Sequence, residues 1–197
     1  SSLSAQKPHA AEPSAGGEFY TPRIKAVLGF EDKVTQDFML DAEPILDDLR
    51  AVKIKNCGFA VPAFSSLNLV DAYYKDLEEF FAAGAEAYKF ISRELRDNGA
   101  VRIILHAECP DDLELETLRG RKYLWNVSDT ELERVLEFSR DIVIGFEAAD
   151  RLEELLDCYQ IRNIYIRQLL IILRSVKIPR RQNIGIQYRA TNQPGHC

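Results

Sequence analysis

Val101-Arg102-Ile103-Ile104-Leu105 is the stretch on which the fold turns. A run this short and apolar has no readable period, so it fits a short strand or a buried helical turn equally well. A strand needs a partner, and no neighbouring segment alternates in the way a partner would. Helical spacing, by contrast, recurs on both sides. The run therefore reads as a helical turn, and the chain as all-α: an irregular array of antiparallel helical hairpins, about seven helices, with extended N- and C-terminal arms.

Upstream, Leu67, Val70, Tyr74, Leu77 and Phe81 lie on one broad face of a helix over Leu67–Ala83. Gly84 breaks it, and Ala85–Asn98 follows with Tyr88, Ile91 and Leu95 as its stripe. Arg96 suits the helix C-terminus, and Gly99 supplies a left-handed closing residue. Further upstream, Asp32–Leu40 is a short helix, and Pro44 sits in the first turn of a helix running to about Ile54. Downstream, Pro110–Leu118 is a weak helix and Tyr123–Asn126 a connector carrying Trp125. Ser128-Asp129-Thr130-Glu131 has the form of a capping box before a helix over Leu132–Ile144. Gly145 breaks that helix, Phe146–Tyr159 is the next, and Asn163–Lys177 is the last. Its run Leu169–Leu173 is apolar almost all round, which points to deep packing. The domain boundaries expected are an arm over 1–30, a helical domain over 31–178 and a basic arm over 179–197.

The 197 residues carry 31 acids and 25 Lys or Arg, for a net charge of −6. That balance argues against a general nucleic-acid binder. No apolar run approaches the roughly 20 residues of a membrane helix. Charge is unevenly placed: Cys158–Cys197 has no acid and sums to +7, and the remainder to −13. Such polarity suggests that the basic end meets something acidic, either a partner or the body of the same chain. Arg174, Lys177, Arg180, Arg181 and Arg189, with Tyr188, are the candidate partner-binding residues. A helix C-terminus accounts for Arg174 and Lys177, but not for Arg180 and Arg181 beyond Pro179.

Catalytic chemistry is not written in the motifs. Cys57, Cys109, Cys158 and Cys197 show no CxxC spacing and read as free thiols of a reducing compartment, the first three of them buried. His106 and Cys109 have an H-x-x-C spacing, too few ligands for a metal site. Asp47-Asp48 and Asp111-Asp112 read as solvated pairs. Glycines form no phosphate-cradling pattern, and the serines lack a nucleophile-elbow setting. No catalytic residue, metal or cofactor is expected. Tyr73, Tyr74, Phe80, Phe81, Tyr88 and Phe90 read as core, with Tyr73 or Phe80 as the alternative interface anchors.

At an offset of 61, Gly84 meets Gly145, Glu86 meets Glu147, Ala87 meets Ala148, and Ile91 meets Leu152. Leu69-Val70-Asp71-Ala72-Tyr73 resembles the first helix of a pentatricopeptide repeat. Gly84-Ala85-Glu86-Ala87-Tyr88-Lys89-Phe90 and Gly145-Phe146-Glu147-Ala148-Ala149 resemble its glycine-to-second-helix junction. The chain thus resembles pentatricopeptide or tetratricopeptide proteins over Leu67–Gly99 and Thr130–Lys177. Asp76–Phe81 departs from the pattern as an insertion. The resemblance implies a non-catalytic adaptor subunit bound to other proteins of a mitochondrial complex, at the matrix or matrix face of the inner membrane. The F1 part of ATP synthase is the first such complex and a respiratory complex the second. The alternatives are an organellar RNA-binding repeat protein, disfavoured by the acidic body, and a cytoplasmic location.

Overall fold

The computed structural model describes residues 20–52, 57–167 and 185–186. It is mixed α/β, built around parallel strands, and the all-α expectation is wrong. Its elements are α1 (Thr21–Leu28), β1 (Lys33–Val34), α2 (Glu43–Val52), β2 (Cys57–Pro62), β3 (Val70–Asp71), α3 (Leu77–Asp97) and β4 (Ala100–His106). They continue as α4 (Asp112–Thr117), β5 (Tyr123–Asn126), α5 (Leu132–Phe138), β6 (Asp141–Ile144), α6 (Leu152–Cys158), β7 (Asn163–Ile166) and β8 (Gly185–Ile186). Short 3-10 turns at Phe64–Leu67, Asp129–Glu131 and Phe146–Arg151 complete the connections.

The pivotal run Val101–Leu105 is the middle of β4, and it has two partners. Ile104 stands opposite Ala60 of β2 and opposite Leu124 of β5. Strands β2, β4 and β5 form one parallel sheet and β6, β7 and β8 another, and β5 lies beside β6. β1 and β3 form a small parallel pair of their own. The pairs β2–β4, β4–β5 and β6–β7 are each joined through a helix, α3, α4 and α6 in turn, as parallel pairing requires.

Side chains alternate between two faces. Phe59, Val61, Ile103, Leu105, Tyr123, Trp125, Ile142, Ile144 and Ile164 face the helix layer and share a core with buried residues of all six helices. On the other face Ala60, Ile104, Leu124 and Val143 form a separate buried row, with Tyr165 packed against it. Helices therefore cover one face only, and the sheet is singly wound, the winding found in (β/α) barrels. At the strand N-termini Asp141 is buried. It accepts from Arg162 Nε and Nη2, both at 2.9 Å, and from Asn163 Nδ2 at 2.9 Å. Arg102 stacks on the Tyr165 ring at 5.0 Å and donates to its hydroxyl.

Several sequence expectations change with this sheet. Tyr123–Asn126 is a strand rather than a connector. The helix expected over Leu132–Ile144 is α5 followed by β6, and the start of the expected last helix is β7. Asp32–Leu40 holds β1 and no helix. Ser128 does not cap: its hydroxyl donates to the Glu108 carbonyl at 2.9 Å. The real capping box is Asp111 to Glu114 at the start of α4. The paired helical hairpins fail with the sheet, since Val70–Asp71 is a strand and Gly145 ends one.

Gly84 does not break a helix; it lies within α3. A Cβ there would meet the Phe64 ring at 2.4 Å. Phe64 is held by edge contacts from Phe38, Phe80, Phe81 and Tyr88, so the ring has nowhere to go. Phe80 is accordingly core, and Tyr73 is 48% exposed. α1 also joins the core, through Ile24, Val27 and Leu28. Cys109 and Cys158 are exposed free thiols, not buried ones. No described helix is long and apolar enough to cross a membrane.

Gly84→Ala should destabilise the domain by about 1–3 kcal/mol, because the overpacking exceeds the better helix propensity of alanine. Urea unfolding checks this, and a variant as stable as the parent would refute the packing.

Candidate functional site

The alternation that builds the core also fixes what projects where the strands end. Ile103-Ile104-Leu105-His106, Tyr123-Leu124-Trp125-Asn126 and Ile164-Tyr165-Ile166-Arg167 share one form: three apolar residues, then a polar one. His106 and Asn126 pair in register at the C-terminal ends of β4 and β5. Arg167 follows the last residue of β7, and its N–H donates to the Ile144 carbonyl.

These three side chains line a cavity of about 850 Å³. Pro62 of β2, Thr21 of α1, Ser65, Ser66 and Asn68 close one side. Ala107, Glu108, Cys109, Val127 and Ser128 close the other. The C-terminal edge of parallel strands is where open α/β sheets and barrels place their ligands.

Asn126 Nδ2 lies 3.0 Å from His106 Nδ1. An amide nitrogen only donates, so Nδ1 accepts and the imidazole carries its proton on Nε2. Burial, with the Arg167 guanidinium as the second cause, lowers the His106 pKa to about 4. At neutral pH the ring is therefore an uncharged donor and not a proton shuttle. The loop beyond β4 is held by the Ser66 hydroxyl, which donates to the His106 carbonyl at 3.1 Å.

Arg167 donates to the Val127 carbonyl, and its Nη2 lies 3.9 Å from Asp129. Asp129 in turn accepts from the Gly145 N–H at 3.2 Å. The guanidinium thus bridges from the end of β7 to the loop after β5. Behind the 3-10 turn over Phe64–Leu67, Glu114 is fully buried and accepts from the Ser65 N–H at 3.2 Å and the Asp111 N–H at 3.2 Å. Burial raises its pKa. Its role is to clamp α4 to the turn that borders the cavity.

Of the residues singled out in the sequence, His106 and Cys109 do come together, as walls of the same cavity. Yet no group of three His, Cys, Asp or Glu among the described residues could hold a metal ion. Asp111 and Asp112 are not a free solvated pair. Asp111 caps α4, and Asp112 accepts from Arg134 Nε at 2.7 Å. Asp47 lies 3.6 Å from Arg50. The partner-binding candidates Arg174, Lys177, Arg180, Arg181, Tyr188 and Arg189 lie outside the described residues, as does the run Leu169–Leu173. Of the same basic end, Arg162 is paired with buried Asp141 at 2.9 Å, and Arg167 lies on the cavity wall with Asp129 no nearer than 3.9 Å. Asn126 and the site role of Arg167 were not anticipated. The repeated apolar-triplet-then-polar pattern gains its meaning once the three segments are known to be strands.

Fold and site together define a parallel, singly wound α/β domain with a polar cavity over its strand C-termini. Compared with protein-family models, curated proteins and solved structures, the chain matches none.

The His106 shift makes stability pH-dependent. The unfolded imidazole titrates near 6.5 and the folded one at about 4. Between these values the unfolded chain binds a proton that the native state does not. Stability should therefore fall as pH drops through this window, by on the order of 3 kcal/mol, and level off below it. Glu114 acts in the opposite sense: with its pKa raised in the fold, its contribution is lost as pH rises. Urea melts of the parent and of His106→Gln across pH 4–7 isolate the histidine part, which the variant should lack. A midpoint near 6.5 for His106 by NMR would contradict its burial.

Proposed function

We propose that this chain is a small-molecule-binding (β/α) domain whose ligand is an oxyanion, a carboxylate or phosphate, held over the ends of β4, β5 and β7. One observation carries the reading. His106, Asn126 and Arg167 converge on one cavity at the strand edge where such folds bind ligands. Arg167 supplies the positive charge and a planar fork suited to two oxygens. The His106 Nε2–H supplies a neutral donor. A neutral imidazole so placed polarises a bound oxygen instead of exchanging a proton with it. The adaptor role expected earlier drew on helical hairpins, and a parallel sheet removes that support.

Titration with malonate and, separately, with inorganic phosphate tests the reading by NMR. Saturable shifts of the His106 and Arg167 side-chain resonances are expected. Arg167→Gln should weaken binding about tenfold or more, and Arg167→Lys less, because the charge remains. Shifts absent for both anions, or unchanged affinity in Arg167→Gln, would refute it.

A further inference from the structure

The end of the sheet opposite the cavity carries an unneutralised basic surface. Lys89, Arg93 and Arg96 recur at i, i+4 and i+7 on α3, which places them within an arc of about 60°. Ser92, at the edge of that arc, is buried against the sheet side. The turn between α4 and β5 adds Arg119, Arg121 and Lys122, and Gly120 at φ +103° lets the chain reverse there. Lys122 joins this turn to the sheet: its carbonyl accepts from the Ile103 N–H at 2.8 Å, and its Nζ lies 5.1 Å over the Tyr123 ring. Arg93, Arg96, Arg119, Arg121 and Lys122 are all exposed.

Five cations elsewhere in the domain have a close carboxylate. Lys25, Arg50, Arg134, Arg151 and Arg162 each have one within 3 Å. In this group Lys89 alone has one, Glu86 at 2.6 Å. The other five have no ion pair among the described residues, in a chain whose net charge is −6. Their mutual repulsion is felt: partial burial and then Arg96, Lys89 and Arg93 lower the Lys122 pKa. At the same end of the sheet, Val101 is 56% exposed.

We propose that Arg93, Arg96, Arg119, Arg121 and Lys122, with Val101 among them, form a docking surface for an acidic polypeptide segment bearing an apolar anchor. Charge complementarity selects an acidic partner, since like-signed cations left unpaired are relieved only by anions from outside. Two observations select a polypeptide over a nucleic acid. The rings beside the patch, Tyr88 and Tyr123, are buried, so no platform for base stacking is offered. The remainder of the chain is more acidic than the whole, so a long polyanion would be repelled where it ran past the patch. A short acidic segment stays within it, and Val101 gives its apolar residue a contact. The helix C-terminus alone explains Arg96 but not the cations of the α4–β5 turn. This surface is independent of the oxyanion cavity.

The test uses the full chain and a fluorescein-labelled peptide of twelve residues, all Asp and Glu save one central Leu. Its control replaces the acids by Asn and Gln. Fluorescence anisotropy should show saturable binding of the acidic peptide only, weakened about tenfold from 50 to 300 mM salt. Arg93→Glu/Arg96→Glu/Lys122→Glu should weaken it at least about tenfold, as should Arg119→Glu/Arg121→Glu, which leaves α3 untouched. Circular dichroism checks that both variants fold. Equal binding of the control peptide, or both variants binding as the parent does, overturns the proposal. Tighter binding of a twelve-nucleotide RNA or of phosphatidylserine vesicles overturns it too. So does self-association that the triple variant abolishes, since the partner would then be a second copy.

Discussion

The register of the parallel ladder is the constraint from which the rest follows. Ala60 opposite Ile104, Ile104 opposite Leu124 and Val143 opposite Tyr165 place one residue of each strand in a common row. Because side chains alternate, that row fixes its neighbours: large apolar residues on the helix side, and His106 and Asn126 beside one another at the strand ends. A slip of one residue would turn His106 into the helix layer and drive Leu105 out of it. Packing and site geometry are therefore set by one alignment. The buried ends of the ladder reinforce it, with Asp141 between Arg162 and Asn163 at one edge and Arg167 at the other.

Helices were legible where their period ran long enough. Glu43–Val52, Asp112–Thr117 and the C-terminal half of α3 lie close to where spacing and caps put them. The strands were not legible, for a physical reason. Strands buried on both faces lose the apolar–polar alternation that marks a half-exposed strand. Asp141-Ile142-Val143-Ile144 then reads as one more turn of the helix before it. Gly84 misled in a related way. Glycine inside a helix ordinarily signals a break, but here the missing side chain makes room for the Phe64 ring. The capping box failed at Ser128 because the Glu131 N–H donates to the Ser128 backbone carbonyl at 3.0 Å, closing a 3-10 turn, while the hydroxyl is turned to the Glu108 carbonyl.

The cavity was half legible. His106 and Cys109 were noticed for their spacing, but metal chemistry was the wrong question to put to them. What unites His106, Asn126 and Arg167 is position relative to strand ends, and no spacing rule shows it until the strands are known. The charge asymmetry is a property of the sequence, and five of its seven C-terminal cations, Arg174, Lys177, Arg180, Arg181 and Arg189, lie outside the described residues. Arg162 of the basic end is neutralised inside the domain by Asp141, and a group of described cations without ion pairs sits on α3 and the turn before β5.

A sheet in which neighbours in space are neighbours in sequence also has a history written into it. β5 pairs with β4 and β7 with β6, each laid down one βα unit earlier, so these pairings do not wait for a distant part of the chain. The loops to be closed are correspondingly short, and loop-closure entropy rises with length. The β2–β4 pairing encloses β3 and α3, and the β1–β3 pairing encloses α2 and β2, so these two crossovers are the longer ones among the described strands. Closing the short β4–β5 and β6–β7 crossovers therefore costs less chain entropy than closing the β2–β4 crossover. The β2–α3–β4 unit, with Gly84 seated on Phe64, thus carries the largest closure cost of these units, and that close packing is what offsets it.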